Sequence, residues 1–194
     1  MGVFVSDLRH VLDLPDDAPR PAKRIAEHLA GVVRAATGRD AGLVWVSALS
    51  CTRRSARRAC PGFVAVVRVD VLPAIEWRCT SCGDEGTISG WERSPFDLRP
   101  TAVHHRTDGH RALISPEVAA TLRTLTLLDI DGQRFVFRAH VASDGVVLDG
   151  TDADFGELLG CVAAEADREP GRRRRQRLDA ARVALQSATR SIGQ

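Results

Sequence analysis

Apolar positions recur at helical spacing in five stretches of the chain and at strand spacing in seven. Ser6 stands where it can cap a short helix over 7–13, with Leu8, Val11 and Leu12 on one side. Pro15 ends it. Pro21 suits the first position of a longer helix over 21–37, where Ile25, Leu29, Val32, Val33 and Ala36 form one face and Gly38 closes the run. Two β-branched apolar runs, 42–49 and 63–70, read as buried strands. After Pro73, the runs IEWRC and GTISGWE read as a second strand pair.

The stretch 94–100 is loop-like, and a boundary near 95–110 follows from it. Ser115-Pro116-Glu117 is a helix start, with Val118, Leu122 and Leu125 behind it. Three strands are expected at 126–130, 134–141 and 145–149, with Asp131-Gly132 and Asp144-Gly145 as hairpin turns. Thr151 or Asp152 caps a helix over 152–168 whose face carries Phe155, Leu158, Leu159 and Val162. Pro170-Gly171 breaks it, and a last helix runs over about 173–190. The expected class is α+β. An N-terminal region (1–100) of helices and β-hairpins precedes a helix–three-strand meander–helix unit (101–170) and a basic C-terminal helix (171–194).

Composition adds little to this picture. The chain has 194 residues, 44% hydrophobic and 27% charged, so it can bury a core and is not disordered throughout. A net charge of +2 implies no nucleic-acid partner by itself, so electrostatic arguments rest on local clusters. Only Lys23 is lysine among 27 basic residues, and Tyr is absent, a usage resembling that of a high-GC bacterium. No apolar run is long enough to span a bilayer, and the first ten residues lack a secretory pattern, so no membrane association and a cytoplasmic location are expected. In that compartment cysteines are metal ligands or core residues rather than disulfides.

Cys79-Thr-Ser-Cys82-Gly83 carries the most specific chemistry. Two thiolates three positions apart, in a glycine-closed turn between strands, point at one centre, and the backbone amides between them can donate to sulfur. Cys51 and Cys60, expected at the tip of another hairpin, supply two more soft ligands. The pattern C-x8-C…C-x2-C over residues 45–92 resembles a zinc ribbon, which implies one structural Zn²⁺ per chain on Cys51, Cys60, Cys79 and Cys82. It departs from the ribbon pattern in the eight residues between the first pair. The whole chain also resembles an uncharacterised actinobacterial family with the same CxxCGDEG segment, a resemblance that implies no activity. Two alternatives stay open. His105 and His110, in the segment that also holds His104, can replace the first cysteine pair, or the CxxC can be a metal-free redox pair. Gly83-Asp84-Glu85-Gly86 is poor helix sequence, which counts against a thioredoxin-like site. Cys161 sits on an apolar helix face as a small core residue.

Four cysteines close a zinc shell, whereas a catalytic zinc keeps an open position. There is no H-E-x-x-H, no G-x-S-x-G, no Gly-rich phosphate loop, and no deaminase pattern. Asp129-Ile-Asp131-Gly132 hints at a calcium loop, but His140 stands where its bidentate Glu belongs. The expectation is a protein that is not an enzyme.

Two arginine clusters remain. Arg53, Arg54, Arg57 and Arg58 lie between two cysteines, a fixed patch of guanidinium groups suited to phosphate. Arg172, Arg173, Arg174, Arg175 and Arg177 open the final helix, where their charge opposes the macrodipole. Behind them Leu178, Ala181, Leu185, Ala188 and Ile192 follow 3/4 spacing, a seam that can dock on the protein's own core or pair with a second chain as a homodimer. The functional expectation is a nucleic-acid-binding or regulatory protein using both clusters on phosphates. The alternative is a protein-binding adaptor in which zinc serves only the fold.

Overall fold

A computed structural model describes residues 3–55, 58–71, 73–99 and 109–190 of the chain. It is α+β, with six helices and ten strands among the described residues, and divides into two units, Met1–Arg99 and Pro100–Gln194.

In the first unit, strand β1 (Val3–Asp7) leads into a four-residue helix α1 (Arg9–Leu12) and the long helix α2 (Arg20–Thr37). Strand β2 (Trp45–Ser50) follows, then a two-residue ribbon of β3 (Arg54–Ser55) and β4 (Arg58–Ala59). Strands β5 (Phe63–Val69), β6 (Ala74–Cys79) and β7 (Glu85–Ser89) complete it. The sheet order is β1-β7-β6-β5-β2, antiparallel except for β1, which runs parallel to β7 from Val3↔Glu85 to Asp7↔Ser89.

The helix expected over 7–13 is present but shortened to α1, Arg9–Leu12. Ser6 is not its cap but lies in β1, opposite Ile88. A strand ladder uses the backbone groups a helix start would need, and Leu8 at the corner is fully buried. By contrast α2 lies where its periodicity predicts. Its Leu29, Val32, Val33 and Ala36 pack on Val64, Val66, Ile75, Trp77 and Ile88 of the sheet. The buried guanidinium of Arg68 on β5 receives the end of α2, donating to the carbonyls of Arg39 (2.8 Å) and Ala36 (3.3 Å), groups a helix C-terminus leaves without intrahelical partners.

The second unit opens with an unanticipated strand, β8 (His110–Ile114), then α3 (Pro116–Leu122), where Ser115 accepts from the Val118 N–H as expected of a cap. No strand forms over 126–129, which is a loop, and helix α4 (Ile130–Phe137) takes the place of most of the strand expected at 134–141. Asp131-Gly132 is not a hairpin turn: both lie inside α4, and Asp129 caps the helix by accepting from the Gly132 N–H at 2.8 Å. Strands β9 (His140–Ala142) and β10 (Gly145–Gly150) form the hairpin expected around Asp144-Gly145, and β10 pairs on its other edge with β8. The three-stranded sheet is thus β9-β10-β8.

Helix α5 (Asp152–Arg168) starts on a capping box between Thr151 and Asp154. Its Phe155 meets Phe135 of α4 edge-on at 5.0 Å. Helix α6 (Arg172–Arg190) packs on α5, α3 and β8. Its seam residues Leu178, Ala181 and Leu185 are fully buried there, so this part of the seam is used within the chain; Ile192 lies outside the described residues. No helix among the described residues is long and apolar enough to cross a membrane.

Candidate metal centre and arginine hairpin

Strands β2, β5, β6 and β7 follow one another in sequence and in the sheet, so the β2–β5 and β6–β7 connections emerge at the same end. Both carry a cysteine pair. Cys51 follows β2, Cys60 precedes β5, Cys79 ends β6 and Cys82 lies in the turn before β7. Cys51 N–H donates to Gly62 O (2.8 Å) within the first connection, and Thr80 of the second is tied to its end by Thr80 N–H donating to Phe63 O (2.9 Å) and Phe63 N–H to Thr80 Oγ1 (3.0 Å).

All four Sγ atoms lie within 4.8 Å of one another. The Cys51–Cys82 sulfurs are 3.8 Å apart and the Cys60–Cys79 sulfurs 3.7 Å. A tetrahedral ion with bonds of about 2.3 Å requires sulfur–sulfur edges of about 3.8 Å, so these two edges have the spacing of a metal-thiolate site. It is far beyond the roughly 2.05 Å of a disulfide. Backbone donors support the sulfurs: Arg53 N–H to Cys51, Gly62 N–H to Cys60 and Ser81 N–H to Cys79, each at 3.4 Å, with Cys82 N–H also directed to Cys79 at 3.5 Å. The donor two residues beyond the cysteine recurs at three of the four, as it must where a chain wraps a thiolate. Gly83, at φ 67°, turns the chain back toward β7.

Charge at the site is divided. Burial pushes the Cys51 thiol up. At Cys79 burial acts in the same sense but is outweighed by the Cys82 and Ser81 N–H groups and the hydrogen bond from the Cys82 thiol, which bring it down to about 7. A divalent cation at this centre would stabilise all four thiolates together, because coordination favours the deprotonated sulfur over its protonated form.

The eight residues between Cys51 and Cys60 have a structural explanation. They hold the β3–β4 ribbon, paired Arg54↔Ala59 and Ser55↔Arg58 and closed at its base by Cys60 N–H donating to Arg53 O (3.0 Å). The first cysteine pair therefore approaches the centre as the second does, with a hairpin inserted between its members.

Other readings of the cysteines meet specific obstacles. Cys82 leads into strand β7 rather than a helix, so the helix dipole that activates a thioredoxin-type thiol is missing. His110 stands on β8 with Nε2 3.1 Å from Asp152 Oδ1, and His104 and His105 lie outside the described residues. Cys161 is half-buried rather than a core residue, its thiol 3.8 Å from Leu127 O and pushed up by burial and then by Asp129, Glu157 and Glu165.

The arginines divide into exposed and committed groups. Arg53, Arg54 and Arg58 are exposed, and Arg53 makes a 3.4 Å ion pair with Asp84 at the edge of the second cysteine turn. Arg57 lies outside the described residues. In the second cluster Arg174 is held by Glu165 and Glu169, and Arg175 donates to the Glu169 carbonyl. Arg172, Arg173 and Arg177 are exposed. Sequence reasoning missed Gly62, where a Cβ would lie 2.6 Å from Cys79 Sγ. The Pro61-Gly62 pair directly after a cysteine was the available signal.

No protein-family model, curated protein or solved structure matches this chain, and no family is identified.

Proposed function

We propose that Cys51, Cys60, Cys79 and Cys82 hold one structural zinc ion, and that the chain is a non-enzymatic nucleic-acid-binding or regulatory protein. The observation that carries this reading is the β3–β4 ribbon, strung between two of the clustered cysteines with Arg53, Arg54 and Arg58 exposed on it. Zinc suits the site because four sulfur donors at tetrahedral spacing favour a soft-accepting ion without redox demands. Four thiolates leave no position for water or substrate, which supports a structural role.

Anchoring both ends of the ribbon removes conformational entropy that free arginine loops lose on binding, so phosphate contacts cost less to form. Arg172, Arg173 and Arg177 are candidates for further contacts. Arg174 and Arg175 already have partners within the protein and contribute least to this reading.

The test is metal analysis of the purified protein followed by nucleic-acid binding across a salt series. Binding through several arginines weakens steeply with salt, by close to one unit of log–log slope per phosphate contact. Salt-independent association with a protein and none with nucleic acid would favour the adaptor reading instead. The strongly exposed Val44 and Leu43 beside the open face of the first sheet are the observation on that side.

A further inference from the structure

In the second unit, α4, α5 and the loop before α4 line a cavity of about 370 Å³, a size suited to a small molecule. Buried Leu128, Phe135 and Leu158 form an apolar wall, and the partly exposed Leu127 borders it. Three carboxylates, Asp129, Asp154 and Glu157, line the same space, and no Lys, Arg or His among the described residues does. Asp154 is committed to Thr151. Asp129 accepts the Gly132 N–H through Oδ1, and neither its other carboxylate oxygen nor Glu157 has a partner among the described residues. The Cys161 thiol in the wall is pushed up by burial first and then by Asp129, Glu157 and Glu165, so their negative field reaches into the cavity. Gly160 lines it as well. A Cβ there would meet nothing within 4 Å, so no close packing calls for glycine. Glycine weakens a helix interior, and what it leaves here is open space.

We propose that this cavity binds a small organic cation, a protonated amine carried on an apolar body. This goes beyond the phosphate reading above and does not depend on it. The apolar wall takes the body. Asp129 and Glu157 take the charged head, whose N–H groups supply donors that these carboxylates lack within the protein. An anion would meet two unneutralised carboxylates, and a neutral molecule would strip water from them without replacing the full strength of its hydrogen bonds. A metal ion is also a poor match. Among the described residues only the four-cysteine cluster brings three or more ligand atoms within metal-binding distance of one another.

The experiment uses the full chain with its metal. Ligand-detected NMR titrations at neutral pH compare phenethylamine, hexylamine and tryptamine with their alcohol and carboxylate counterparts. At least one amine should bind about tenfold or more tighter than its alcohol, because its hydrogen bonds join charged groups, and the carboxylates should not bind. Asp129→Asn combined with Glu157→Gln removes both charges, and Asn caps a helix as well as Asp does. This variant should erase the preference for amine over alcohol. Gly160→Leu fills the cavity with a better helix former and should abolish binding of both. Melting temperatures check that each variant is folded. Binding by none of the three amines, equal affinity for amine and alcohol, or wild-type amine binding in both variants overturns the proposal. None of these results bears on the metal or on phosphate binding, so the two readings fail separately.

Discussion

The guanidinium of Arg174, in the first turn of α6, closes on the buried carboxylate of Glu165 near the end of α5. Glu165 also accepts from the Thr126 N–H at 2.9 Å and the Thr126 hydroxyl at 3.3 Å, while Arg174 donates to Glu169 at 2.6 Å and to Thr124 O at 3.2 Å. A run of positive charge at a helix N-terminus is electrostatically unfavourable. Here two carboxylates from the preceding helix and its end neutralise the arginine that points inward. The run that resembles a ligand-binding patch in sequence is thus partly a packing device.

Removing Arg174 should be costly, because it strands the Glu165 charge. Arg174→Met is expected to lower unfolding free energy by about 2–3 kcal/mol, below the loss for a fully buried pair because Arg174 is 34% exposed. Denaturant melts of Arg174→Met, Glu165→Gln and the double variant measure this. The double variant should lose less than the sum of the singles, by about 1 kcal/mol or more. Strict additivity would mean the two side chains do not support each other.

Metal should be inseparable from the fold of the first unit. We expect about one zinc per chain, bound by sulfur at about 2.3 Å in an X-ray absorption spectrum. Cys82→Ser or chelation should release it and open Met1–Arg99 to proteases, since metal binding supplies folding energy. Unaltered protease resistance after metal loss would show that the sheet holds without the ion.

Gly62→Ala is a sharper probe of the same centre. An added Cβ would sit 2.6 Å from Cys79 Sγ and 2.8 Å from Ser81 Cβ and Oγ, so the two cysteine turns must separate. Zinc affinity, read by competition with a chromogenic chelator, should fall roughly 10- to 100-fold, as for loss of an outer-shell support. An affinity equal to wild type would contradict the close approach of the turns.

Acid should act on the corner between β1 and α1. The Asp7 carboxylate accepts from the Arg9 side chain and N–H, and these bonds hold it down at about 2 against an ordinary value of 3.8. A depressed carboxylate stabilises the fold above its unfolded value and loses that contribution as pH falls through its folded one. The loss therefore belongs between about pH 4 and 2. Asp7→Asn should flatten the pH dependence of the melting temperature in that window and leave the slope at higher pH unchanged.

Several elements were legible because their causes are local. The apolar stripe of α2, the Ser115 cap of α3, the Thr151 start of α5 and the strands β5, β6 and β7 follow from spacing and capping chemistry within a few residues. The failures have equally definite reasons. Phe135-Val136-Phe137 is a short apolar run that period alone cannot assign. Its helical state is announced by Asp129 three residues before Gly132, whose carboxylate caps the helix. Val3–Asp7 contains no helix-breaking residue, and its strand state depends on a parallel partner about eighty positions away.

The cysteine spacing by itself pointed to four thiols fit to bind a metal, with the histidine and redox alternatives still open, because thiolate chemistry and a glycine-closed turn belong to the residues themselves. Their convergence was decided by tertiary structure: four strands in sequential order bring alternate turns to one end of a sheet, and only there do Cys51 and Cys60 meet Cys79 and Cys82. The arginines follow the same division. Their charge is written in the chain, but whether a guanidinium stands exposed, as on Arg54 and Arg58, or closes on a buried carboxylate, as on Arg174, depends on which helix or strand packs beside it.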